Sequence, residues 1–90
     1  MAVGAELSTL QDLHKTFVAK ADEALQIQTQ VQSALDGAQW TGKYSEDFRS
    51  AWVEYKKNLN NLADALTGAA KDVQTNHNNI AAATGEPDRI

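Results

Sequence analysis

The sequence contains no cysteine and a single proline, Pro87. The first absence removes disulfides and thiolate metal ligands as sources of stability. The second leaves the long middle stretches free of the residue that most strongly breaks helices. Basic residues are outnumbered: 8 Lys and Arg stand against 12 Asp and Glu, a formal net charge of −4. The densest basic spot is Lys56-Lys57. No stripe is available to neutralise a run of phosphates, so nucleic acid is not an expected partner. No apolar run approaches the ~20 residues a membrane-spanning helix needs, so no stable membrane insertion is expected. The opening residues, Met1-Ala2-Val3-Gly4-Ala5-Glu6, lack a basic n-region and a long apolar h-region. A cleaved Sec-type signal peptide is therefore not expected.

Chemistry is as sparse as charge. The only histidines are His14 and His77, and the expectation is that both face solvent. A zinc site needs three or four ligands, and neither Cys nor a third His exists to complete one. No P-loop, Gly-rich phosphate loop or nucleophile elbow occurs. No enzyme, metal or cofactor is expected.

What remains is a pattern. At 90 residues the chain is the size of one domain, taken here as 1–90. Glycines at 37 and 42 sit together near the middle, those at 4 and 85 lie near the ends, and Gly68 stands alone. Between them the chain is rich in Ala, Leu, Gln, Lys, Asp and Glu, which favours helix. In the first stretch Leu10, Leu13, Phe17, Ala21, Ala24, Ile27, Val31, Ala34 and Leu35 recur at gaps of mostly three or four. Ser8 with Gln11 has capping-box spacing, and Gly37 suits the far end. In the second stretch Phe48, Trp52, Tyr55, Leu59, Leu62, Leu66, Ala69, Val73, Asn76 and Ile80 alternate gaps of four and three. That is a heptad seam. Ser45 is the candidate N-cap, Glu46 and Asp47 suit the first turn, and Glu46-Arg49 has the i,i+3 spacing of a solvated surface ion pair.

The pattern predicts an all-α fold: a helix over about 8–37, a bend over 38–44, a second helix over 45–81 and a flexible tail over 82–90. Two long helices joined by a short bend at Trp40-Thr41-Gly42 should form an antiparallel hairpin. Gly42 can supply a positive φ, and Trp40 can plug the hairpin end. The candidate core and interface residues are Phe17, Val31, Leu35, Phe48, Trp52, Tyr55, Leu59, Leu62, Leu66 and Val73. Val18, Leu25, Ala63 and Ala70 widen the stripes beyond what one neighbouring helix covers. A second hairpin, completing a four-helix bundle, would cover the remainder.

A Trp-x-Gly tripeptide at the centre of a cysteine-free chain of this length, between two long helices, resembles the WXG family of ESAT-like (early secreted antigen-like) proteins. The resemblance covers about residues 6–82. It implies a helical hairpin that pairs as a homodimer or heterodimer with another WXG-type protein. It also implies synthesis in the cytoplasm of a Gram-positive or actinobacterial cell and export without a cleaved signal peptide. The exporter would be the type VII (ESX) system with its membrane ATPase, and the chain an effector, virulence factor or co-secreted chaperone-like partner. One feature departs from the family. A C-terminal Tyr-x-x-x-Asp/Glu export signal is missing, since Tyr44 and Tyr55 are followed at the fourth place by Phe48 and Leu59. Either the partner carries that signal, the tail uses another, or the chain is a shortened one. Two other classes fit a short helical hairpin: a filament subunit of the type III needle kind, whose bend usually contains proline, and a cytoplasmic helical adaptor.

Overall fold

The computed structural model describes residues 3–90, with side chains from Leu7 onward. Helix α1 spans Val3–Gly37 and helix α2 spans Lys43–Thr84. They run antiparallel as a rod of 63 × 18 × 17 Å. At 1.5 Å per residue a helix as long as α2 spans about 63 Å, so this one helix sets the length of the molecule. Both helices extend beyond the expected bounds. Ser8 lies inside α1 rather than at its cap, and Ser45 lies in the first turn of α2, whose N-cap is Gly42. Gly68 does not interrupt α2.

The register follows from two contacts across the hairpin. Arg49 donates to the Leu35 carbonyl oxygen, and the Trp52 indole donates to Gln32 Oε1 at 3.0 Å. Continued in heptad steps along both helices, the same register sets Ala21 opposite Ala63, His14 opposite Ala70 and Leu7 opposite His77. Leu7 and His77 do line one small cavity at the open end.

The seam differs from the one the hydrophobic spacing suggested. In α1 the seam row is Leu7, Leu10, His14, Phe17, Ala21, Ala24, Gln28, Val31 and Leu35, with Gln32 half-buried beside it. In α2 it is Arg49, Trp52, Lys56, Leu59, Ala63, Leu66, Ala70, Val73, His77 and Ile80, with Phe48, Ala51 and Ala69 half-buried beside it. Alternate positions have thus moved by one residue, from Tyr55, Leu62, Ala69 and Asn76 to Lys56, Ala63, Ala70 and His77. At one layer the register sets Ala63 against Ala21, and two such small side chains let the helices approach closely where Leu62 in the same place would hold them apart. The buried apolar set is Leu7, Ala21, Ala24, Leu35, Trp52, Ala63, Ala70 and Ala81. Five of these eight are alanines, each burying little more than a methyl group. At roughly 0.8 kcal/mol per buried carbon unit, such a core stabilises the rod only modestly.

Beyond α2 the chain reverses. Gly85 is left-handed at φ 76°, and Glu86 N–H donates to the Ala81 oxygen at 2.8 Å, a Schellman arrangement with Pro87 just after it. The segment expected to be a flexible tail lies back along α2. Gln74 Nε2 and Asn78 Nδ2 both donate to the Ile90 oxygen, and Ile90 N–H donates to Asn78 Oδ1.

Candidate interaction surface and bend

Gly42 turns the chain into α2 with φ 107° and ψ 179°. This combination lies in a region essentially reserved for glycine. The Gly42 oxygen then accepts the Glu46 N–H at 3.0 Å, the first helical bond of α2. Ser45, at 3 % exposure, donates from Oγ to the Trp40 oxygen at 2.8 Å. The same Oγ accepts Arg49 Nε at 3.1 Å, and Arg49 Nη2 reaches the Leu35 oxygen at 3.2 Å. Sequence spacing missed this network: Ser45 reads as a cap and Arg49 as a partner for Glu46. The pattern of i,i+3 and i,i+4 charges gives no hint that Arg49 crosses to the other helix. The ion pair recorded among the described residues is instead Lys20–Glu23, at 2.9 Å and solvent-exposed.

The Trp40 ring packs on Phe48, with centroids 6.1 Å apart, and Phe48 lies beside Trp52 and Tyr55 at 6.2 and 6.4 Å. Trp40 is nevertheless 42 % exposed, and its neighbour Tyr44 is 82 % exposed. The tip of the rod therefore carries two accessible aromatic rings on a hydrogen-bonded frame. Trp40 plugs the end of the hairpin only in part.

The candidate core residues sort into three groups. Leu35 and Trp52 are buried in the hairpin. Phe17, Val31, Phe48, Leu59, Leu66 and Val73 are half-buried. Tyr55 and Leu62 stay outside, each 49 % exposed. These last two, with Phe48 and Ala69, sit one place before the seam positions Arg49, Lys56, Ala63 and Ala70. On α1 the equivalent places hold Leu13, Lys20, Ile27 and Ala34. In an antiparallel pair these two rows flank the seam on the same side, so they form one broad, mostly apolar face. The opposite side carries Val18, Leu25 and Val53 among Gln11, Gln32, Asn60, Thr67 and Gln74, and is broken up by amides.

A family model described as "Proteins of 100 residues with WXG" matches residues 3–83, nearly the whole chain. The chain belongs to the WXG100 family. Its members are small, helical, non-enzymatic proteins of the type VII secretion kind, exported without a signal peptide, and they generally pair with other WXG proteins. No curated protein and no solved structure matches the chain. In this WXG100 chain the tripeptide Trp40-Thr41-Gly42 falls on the exposed tip, and the Gly supplies the backbone angle the turn requires.

The histidines do not act together. The register places them on different layers, with His14 half-buried and His77 only 2 % exposed. The expectation that His77 faces solvent is corrected: it occupies a seam position opposite Leu7, and its Nδ1 lies 3.1 Å from Asn78 Oδ1. That oxygen already accepts Ile90 N–H, and the Asn78 amide nitrogen donates to the Ile90 oxygen, so His77 Nδ1 carries the proton in this contact. Among the described residues no group of His, Asp or Glu is placed to hold a metal ion. No helix of the described residues is long and apolar enough to cross a membrane.

Proposed function

We propose that this WXG100 chain is one hairpin of a dimeric four-helix bundle, exported by a type VII (ESX) system as an effector or as the chaperone-like partner of a co-secreted protein. The observation that carries the reading is the apolar face of Phe48, Tyr55, Leu62, Leu13 and Ile27, left open by a core made largely of alanine. A face of that kind on a thin rod supports pairing with a second hairpin, either another copy or a different WXG-type protein. The exposed Trp40 and Tyr44 at the tip support a role for the bend in recognition by the secretion ATPase. Synthesis is in the cytoplasm of a Gram-positive or actinobacterial cell, and the destination is outside it.

Export tests the proposal. The chain is expected in the culture supernatant of a type VII-competent host and to be retained when the secretion ATPase is deleted. Equal amounts in the supernatants of both strains, or none in either, refute the secretion reading. Mass in solution of the purified chain separates the pairing modes. A stable dimer supports self-pairing. A monomer that dimerises only when a WXG-type protein is co-expressed supports a heterodimer.

A further inference from the structure

Helix α1 ends without a cation of its own: its last turn contains no basic residue. The partial negative charge and unpaired carbonyls of a helix C-terminus favour a positive group there. Here the group arrives from the other helix. Arg49 places Nη2 at 3.2 Å on the Leu35 oxygen, which also accepts the Ala38 N–H at 3.3 Å, and Nε on Ser45 Oγ at 3.1 Å. The fork of a guanidinium suits two acceptors lying in different directions, which a lysine ammonium on a flexible stem does not reproduce. Ser45 uses its hydroxyl both ways, accepting from Arg49 and donating to the Trp40 oxygen at 2.8 Å. At 3 % exposure that hydroxyl is shielded from competing water. One unbroken chain of hydrogen bonds thus runs from the last turn of α1, through the first two turns of α2, to the main chain of Trp40. The indole itself packs against Phe48, with ring centroids 6.1 Å apart.

We infer that Ser45 and Arg49 are positioning residues for Trp40, and that the recognition unit at the tip is Trp40, Gly42, Ser45 and Arg49 rather than the Trp-x-Gly tripeptide alone. The inference rests on the reading of the bend as a recognition surface. Its physical content is preorganisation. An exposed indole on a loose loop pays for its ordering when a partner binds, whereas one held on a hydrogen-bonded frame does not.

The test uses the full chain in three forms, Ser45→Ala, Arg49→Gln and Arg49→Lys, with Ala24→Gly as a control that loosens the buried seam far from the bend. Nuclear magnetic resonance follows the two indole N–H signals, and export is measured in the type VII-competent host. In Ser45→Ala and Arg49→Gln the Trp40 indole is expected to gain fast motion while that of Trp52, bonded to Gln32, is unchanged. Loss of one hydroxyl contact corresponds to about a fivefold to tenfold shift toward the loosened bend, and export should fall several-fold. Arg49→Lys should not restore it. Unchanged Trp40 motion in both variants overturns the inference. So does equal loss of export in Ala24→Gly at a matched melting temperature, since stability alone would then explain the effect. Trp40→Ala separates this inference from the reading beneath it. If Trp40→Ala exports normally, the bend is not a recognition surface. If Trp40→Ala fails while Ser45→Ala and Arg49→Gln export like the parent, only the positioning role is wrong.

Discussion

Replacing Gly42 by alanine isolates one term in the stability of the hairpin. A Cβ built on Gly42 meets no atom within 4 Å, so the substitution creates no clash. The whole effect must come from the backbone, held at φ 107° and ψ 179°. A non-glycine residue in that region costs about 1–3 kcal/mol. The smaller freedom of alanine in the unfolded chain offsets roughly 0.4–1 kcal/mol of this. The net expectation is a loss of about 1–2 kcal/mol, or a fall in Tm of roughly 5–15 °C for a domain of this size. Gly68→Ala is the matched control. It also meets no atom within 4 Å, but it lies within α2, where alanine is favoured by about 0.8–1 kcal/mol. Thermal unfolding followed by circular dichroism, at one fixed protein concentration because pairing adds to apparent stability, should place the two variants on opposite sides of the parent. If Gly42→Ala melts at or above the parent, the strain argument is wrong and Gly42 is a turn residue of convenience.

Two further substitutions probe the two sides of α2. Leu62→Asp should leave the hairpin helical, because Leu62 lies outside its core, yet abolish assembly. Sedimentation of the chain, alone or with a co-expressed WXG-type protein, giving the same complex mass as the parent would remove the proposed face. Ala63→Leu acts oppositely: it forces extra methylenes into the close approach opposite Ala21 and should cost about 1–3 kcal/mol in urea unfolding. No loss there would mean the helices are not in alanine contact at that layer.

The two rows of α2 explain why the sequence could be read so far and no further. Both Tyr55-Leu62-Ala69 and Lys56-Ala63-Ala70 keep heptad spacing with Trp52, Leu59, Leu66 and Val73. Hydrophobicity alone favours the first row. At the layer of Ala63 packing selects the second, since Ala21 lies opposite and close contact there needs small side chains on both helices. His77 was unreadable for the same reason: on the hydrophobic row its place is outside, and only the shift of seam turns it inward against Leu7.

Composition and periodicity by themselves determined that this is an all-α chain of two long helices. The glycine pair and Trp40 determined where it bends, because few residues suit that turn and none beside it continues a stripe. Those are local properties, fixed by intrinsic propensity and spacing. The tertiary structure alone decided which flank of each stripe faces the other helix, and that Arg49 serves the end of α1 rather than Glu46 one turn away. It also decided that the segment after Gly85 folds back onto Gln74 and Asn78. Each of these depends on the distance between atoms far apart in sequence. That distance is set by the register of the hairpin, which no local pattern encodes.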